Sequence, residues 1–360
     1  MKAPYQRWVC GFLTLLFLAL SVCAAAVCAI DPCLYYRLPA NWSPVFFNER
    51  YQTAGLIRHC PADTVLMGSS MAANYRPSDM EEVFGTTCLR ITIPDGYLSE
   101  FDQAMTLLFR EQSPSRVLFG LDVNILTRDE SGLTGAMPAY LYNQNPLDDI
   151  QYLLNKDTLY YSIYTLAMNR LGRGEDIDAA FSTEDTEWWN HLSALENCQR
   201  PEVQPVQPDT LFLDNAAANL AVIASWADEH PDTEFDVFLS PYSILFWDKA
   251  ARLGQTDAVF RALELACETL LSRPNIRLSA PLLDKSIVLN LDHYCDYIHH
   301  STAVCRQVLR TLADGSDALT AENYRETLAN WQAFVIHYSY DPYWTESFWE
   351  DWNAAHPPAS

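Results

Sequence analysis

Thr64-Val65-Leu66-Met67-Gly68-Ser69-Ser70 is the stretch on which the reading of this chain turns. Thr64 to Gly68 is a short apolar run behind Pro61-Ala62-Asp63, as a buried strand would be. An apolar β-type run ending in Gly-x-Ser is a usual way to present a nucleophile at a strand's C-terminal tip. Ser70 is preferred to Ser69, because the second residue after the glycine falls nearest the first helical turn, where a backbone N–H also faces an oxyanion. Taken alone the signal is weak: Gly then Ser after a strand is common, and serine is an ordinary helix cap.

Working outward, the pattern alternates. Ser78 to Glu81 offers a capping box for a short helix that Phe84 ends before Gly85. Leu89 to Ile93 is the next β-type run, broken by Pro94-Asp95-Gly96. Ser99 and Asp102 pair as a second cap, leading a helix to about Arg110, and Arg116 to Val123 is another buried strand. This order at short spacing predicts a parallel sheet covered on both faces. Residues from about 127 to 207 break the rhythm with Gly- and Pro-rich turns, a Tyr-rich helical stretch over Leu159–Leu171 and an acidic segment, and read as an inserted lid. The alternation then resumes. Helices are expected over Asn215–His230 and Asp257–Ser272, strands over Phe235–Ser240, Asn275–Leu278 and Ile287–Leu291, and closing helices over Ser301–Ala313 and Thr320–Tyr338.

Val9 to Ile30 is a charge-free apolar stretch, long enough for one membrane-spanning helix. Lys2 and Arg7 precede it and Asp31 follows at once, so residues 1–8 are expected in the cytoplasm, 9–30 in the membrane and the rest outside. A cleavable signal peptide is the competitor, and Ala24-Ala25-Ala26 supplies the small residues it needs, but its apolar core is normally about 7–15 residues. The expected division is then a membrane-proximal segment over 31–59, an α/β domain over 60–340 and a tail over 341–360. The chain carries 46 Asp and Glu against 23 Lys and Arg. So acidic a surface makes nucleic acid and anionic headgroups poor partners. Of ten cysteines, Cys10, Cys23 and Cys28 lie in the span. The other seven have no metal-ligand spacing, and neither a metal nor a cofactor is expected; proximity suggests Cys60–Cys88 and Cys295–Cys305 as disulfide pairs.

The second chemical signal is Asp296-Tyr297-Ile298-His299. An acid three residues before a histidine lets one loop supply both a base and the group that orients it. The segment Leu291 to Ser301 is dense in titratable side chains, with His293 and His300 as decoys; the spacing to Asp296 favours His299. If the fold brings Ser70 to this loop, the chain is a serine esterase or acyltransferase.

With these motifs the chain resembles the SGNH/GDSL hydrolase superfamily, over about residues 60–125 and 235–310. The nucleophile block corresponds to Gly68-Ser69-Ser70 and the closing block to Asp296-Tyr297-Ile298-His299. The membrane-anchored proteins of teichoic-acid D-alanylation and exopolysaccharide O-acetylation look most similar. The resemblance implies a single flavodoxin-like three-layer domain, a Ser70–His299–Asp296 triad, an acylated envelope glycan or polymer as substrate and membrane proteins as partners. It implies an oxyanion hole from the N–H groups of Ser70 and Gly96. The third block, Gly-x-Asn in the family, is Gly120-Leu121-Asp122 here, and an ionised Asp cannot donate. Either Asn124 substitutes, or the hole is built otherwise. The departure also fits a second reading, a catalytically inactive, membrane-tethered binding or assembly subunit. An α/β-hydrolase elbow, Gly68-x-Ser70-x-Ala72, is disfavoured because that fold places several strands before its nucleophile. Tyr35-Tyr36, Tyr160-Tyr161 and Trp188-Trp189 are candidate sugar platforms, though such pairs more often pack cores.

Overall fold

The computed structural model describes residues 2–129, 137–183, 188–345 and 350. Six strands form one sheet: β1 (Thr64–Gly68), β2 (Cys88–Thr92), β3 (Arg116–Leu121), β4 (Glu234–Leu239), β5 (Ile276–Ser279) and β6 (Ala318–Leu319), in the order β2-β1-β3-β4-β5-β6. All neighbours are parallel except β6, which runs antiparallel to β5 at the edge. Both faces are covered, so β1 is buried at every position and β3 and β4 at all but their first. A strand buried on both faces reads as a continuous apolar run, which is why Val65-Leu66-Met67 and Val117-Leu118-Phe119 carry no polar alternation. Each such side chain taken fully out of water contributes about 1.5–3 kcal/mol before entropy is counted.

The chain leaves β1 for β2 on one side and then crosses to β3 on the other. The strand order therefore reverses between β1 and β3, and their C-terminal ends flank a crevice of the kind open α/β sheets use for ligands. Gly68 stands at the end of β1, where a Cβ would meet the Ala72 methyl at 3.0 Å; the bare backbone lets the next turn fold close over the strand.

Several local expectations are corrected. Ser78 does not cap its helix. Arg76 precedes Pro77, the first helical residue, and Ser78 instead donates its N–H and hydroxyl to Asp178 at 2.7 and 2.9 Å. The helix Leu98–Glu111 begins after Tyr97 rather than at Ser99, with the Glu100 carboxylate accepting the Tyr97 N–H at 3.1 Å. Val123 opens the helix Val123–Thr127 rather than ending β3. Ile287–Leu291 is no strand: Asp284 caps the short helix Lys285–Val288, and the sheet edge is closed by Ala318–Leu319, which had given no signal. No disulfide forms; all ten cysteines are free thiols. Cys305 is buried in the helix Thr302–Asp314, whereas Cys295 lines a cavity.

Residues 31–59 share the core. The helix Glu49–His59, missed in the sequence, buries Ala54, Leu56 and Ile57 and packs against Leu98–Glu111. Arg50 there makes a bidentate pair with the buried carboxylate of Glu100 at 2.6 and 2.9 Å. The N-terminal helix Lys2–Ile30 is exposed through most of its length, and Tyr5–Ile30 is long and apolar enough to cross a membrane.

Candidate active site

Ser70 begins the single 3-10 turn Ser70–Ala72 directly after β1, with Ser69 as its cap: the Ser69 hydroxyl oxygen accepts the Met71 N–H at 3.2 Å. The turn points the Ser70 hydroxyl into the crevice, where Oγ lies 2.8 Å from His299 Nε2. On the other side of the ring, His299 Nδ1 is 2.6 Å from Asp296 Oδ2. An ionised carboxylate only accepts, so Nδ1 carries the hydrogen and Nε2 is left to take one from Ser70.

Asp296 is fixed by the spacing that singled it out. Its Oδ1 accepts the N–H groups of Ile298 and His299 at 2.8 and 2.7 Å, winding the loop tightly enough for the i+3 ring to reach Oδ2. Burial alone would push the Asp296 carboxyl up, but the bonds and charge of His299 outweigh it and hold it below its ordinary range. Burial works the other way on His299, favouring the neutral ring. Asp296 more than offsets this and raises the imidazole above its ordinary value.

The neighbouring histidines are placed elsewhere. His300 is buried, its pKa driven down to about 3 by that burial, and its ring stands edge-on to Tyr75. His293 is also pushed down by burial, and its Nδ1 reaches only the Ser301 hydroxyl at 3.4 Å. A second His–Asp contact, His191 Nδ1 to Asp292 Oδ1 at 2.6 Å, went unseen in the sequence because its halves lie a hundred residues apart. Cys295, Asp296 and His299 bring three ligand atoms within 4.8 Å of one another. Burial pushes the Cys295 thiol up to about 12, and the other two already bond each other, so a cation there would have to displace the hydrogen between Asp296 and His299.

The expected oxyanion donors come out differently. Gly96 closes the turn after β2, where its N–H donates to Ile93 O at 3.0 Å rather than into the crevice. That turn needs a glycine: a Cβ would sit 2.7 Å from Ile93 O and 2.8 Å from the Phe101 ring. Asn124 is exposed on the helix Val123–Thr127 and does not line the cavity. Asp122, at the end of β3, is buried and accepts the hydroxyl hydrogen of Ser69. Burial raises its pKa to about 6, against the pull of hydrogen bonds from Ser240 and Ser69. In its ionised form, the form that accepts from Ser69, Asp122 has no hydrogen to donate. Of the expected donors, the Ser70 N–H at the head of its turn is the one left beside the Ser70 hydroxyl.

Around Ser70 and His299 lies a cavity of about 460 Å³. Met71, Pro94, Phe181, Trp188 and Trp189 make its walls mostly apolar, and Glu49, Asn74 and Asn197 supply polar groups. Larger hollows, of about 630 and 690 Å³, lie against the closing helix Tyr324–His337, and neither Ser70 nor His299 lines them. Of the three aromatic pairs, only Trp188-Trp189 lines the active cavity; Tyr35 and Tyr36 both donate to Asp149, and Tyr161 stacks on Phe47. Asn74 was missed. It ties two loops together, its amide donating to His300 O at 3.1 Å and its carbonyl oxygen accepting the Thr183 N–H at 3.0 Å. The only sequence hint was its place one helical turn after Ser70.

Comparison with known protein families finds no match, and comparison with curated proteins finds none either. Among solved structures, a protein from Streptococcus pneumonia provisionally described as a platelet activating factor superposes with a TM-score of 0.40 and 12% identity. The match covers 74% of this chain and 90% of that one. A hydroxyl, an imidazole and a carboxylate in line are the elements of acyl transfer through a covalent serine ester.

Proposed function

We propose that this chain is a serine esterase or O-acyltransferase of SGNH type, anchored by its N-terminal helix with the α/β domain outside the cytoplasm. The observation that carries the reading is the unbroken line Ser70 Oγ–His299–Asp296, at 2.8 and 2.6 Å. Ser70 Oγ bonds to an ester carbonyl carbon while its proton passes to His299 Nε2, and Asp296 steadies the imidazolium. Collapse of the tetrahedral intermediate breaks the bond to the alkoxy oxygen, which leaves with the proton from His299. Water or a sugar hydroxyl then bonds to the acyl carbon of the Ser70 ester, giving its proton to His299, and collapse breaks the bond to Ser70 Oγ, which takes that proton back. The apolar walls and the absence of Lys or Arg among the described lining residues suit an uncharged or cationic acylated glycan or polymer of the cell envelope.

The test is labelling of the full chain with a fluorophosphonate, with an aryl acetate as reporter substrate. Covalent modification at Ser70, lost in Ser70→Ala, is expected. A second reading, a non-catalytic binding subunit, is favoured by one observation, the charged Asp122 and the inward-turned Gly96 N–H where donors were expected. No labelling and no turnover of any ester, alongside tight binding of a glycan, would establish it instead.

A further inference from the structure

We propose that the helices Ile150–Leu153 and Lys156–Arg170 lie against the outer surface of the lipid bilayer, with Tyr160, Ile163 and Tyr164 seated between headgroups and hydrocarbon beside the N-terminal helix. The proposal rests on the reading of that N-terminal helix as a membrane anchor.

The longer helix is built inside out. Its buried residues are Thr158, Ser162 and Thr165, all polar and spaced three or four apart on one face. Thr158 Oγ1 donates to Tyr152 O at 2.6 Å and Ser162 Oγ to Thr158 O at 2.8 Å, so these two hydroxyls are satisfied by nearby backbone, while the Thr165 hydroxyl has no partner among the described residues. The opposite face carries Tyr160 and Ile163, 60% and 64% exposed, with Tyr164, Ala167 and then Leu171. A helix facing water has the reverse arrangement. Apolar side chains turned outward and hydroxyls turned inward suit a helix whose outer solvent is lipid. Ile150 and Leu154 extend the same exposed apolar surface into the preceding turn, at 59% and 40% exposure.

Position makes lipid the occupant. The N-terminal helix packs against both of these helices and against little else, so their outer face continues its own exposed apolar surface. Toward its C-terminal end the covered side of the N-terminal helix is Cys23, Ala24, Ala26, Val27, Cys28 and Ile30, several of them small residues of the kind that let helices approach closely in membranes. The junction is rigid: Asp31 accepts the N–H groups of Tyr35, Tyr36 and Arg37 and the Tyr152 hydroxyl. Tyrosines favour the headgroup level, and the exposed Lys156 and Arg170 at the helix ends can reach phosphates.

The same helix is wired to the active cavity. Ser43 donates its N–H to Asn169 at 2.9 Å, and Phe47 stacks on Tyr161 with ring centroids 3.6 Å apart. Two residues on, Glu49 lines the cavity; Phe46 packs on Phe181, another lining residue, at 5.0 Å. A cavity joined this closely to a lipid-seated helix takes its ester from a polymer held at the membrane surface.

The test places the full chain alone in lipid nanodiscs whose phospholipids carry a diazirine in the acyl chain, and maps photo-adducts by mass spectrometry. Adducts on residues 147–171 as well as on the N-terminal helix are expected. Adducts on the N-terminal helix alone would overturn the proposal, leave the anchor intact, and turn attention to a protein partner for this face. Adducts on neither would overturn the anchor and this proposal with it. In Tyr160→Ser/Ile163→Ser, whose positions are exposed, adducts on 147–171 should fall about fivefold or more while those on the N-terminal helix stay constant. An unchanged yield would overturn the proposal.

Discussion

Ser69 gives its hydroxyl hydrogen to the buried carboxylate of Asp122, immediately beside the serine that faces His299. A negative charge is thus held next to the place where an ester oxygen would become an anion. In water the effect would be slight; in a buried site it opposes the transition state.

Asp122→Asn should therefore keep turnover or raise it, by up to about tenfold at pH 8, equivalent to about 1.4 kcal/mol in the barrier. Asparagine preserves an acceptor for Ser69 and adds a donor. Steady-state kinetics on an aryl acetate checks this, and a loss as deep as that of Ser70→Ala would mean that the charge itself is needed.

The pH dependence follows from His299. Its folded pKa is raised, so the neutral base is present only above that value, and kcat/KM should rise along an acid limb centred above 6.5. Asp296→Asn removes the group that raises it, so the limb should move to lower pH while kcat falls by about 10³–10⁴. The sign for stability is opposite. The charged pair stabilises the fold below the unfolded imidazole's pKa, and that contribution is lost as pH rises through the folded one. A limb that stays put in Asp296→Asn would show that another group titrates.

The two adjacent serines should separate cleanly. Ser70→Ala removes the only hydroxyl within reach of His299 Nε2 among the described residues and should abolish labelling. Ser69→Ala loses a cap and a buried bond, so it should cost about 1–2 kcal/mol in denaturant unfolding while labelling survives. Labelling that survives Ser70→Ala would place the nucleophile elsewhere.

Trp189→Ala should raise KM for an aryl ester about tenfold with kcat little changed, because the ring lines the cavity and has no part in the Ser70–His299–Asp296 line. A fall in kcat at constant KM would instead give the ring a role in the transition state.

One half of this geometry was legible because its contacts are local. Asp296 reaches the ring of His299 from three residues away and the backbone of Ile298 from two, and a four-residue pattern suffices to predict that. Val65-Leu66-Met67 reads as a two-face-buried strand because burial on both sides removes the polar alternation. What sequence left undecided lies in contacts between distant segments. The bond from Ser70 to His299 spans 229 positions and exists because the strand order reverses between β1 and β3, bringing late loops over the early turn. Gly96 reads as an oxyanion donor until the turn after β2 spends its N–H on Ile93 O, and that the Asp122 carboxyl accepts from Ser69 appears only once β1 and β3 lie side by side. Nor does the Tyr-rich run over 159–171 reveal which of its faces is covered. Spacing along a helix sets which residues share a face, but only the packed neighbour, here the N-terminal helix, decides that the hydroxyls go in and the apolar side chains go out.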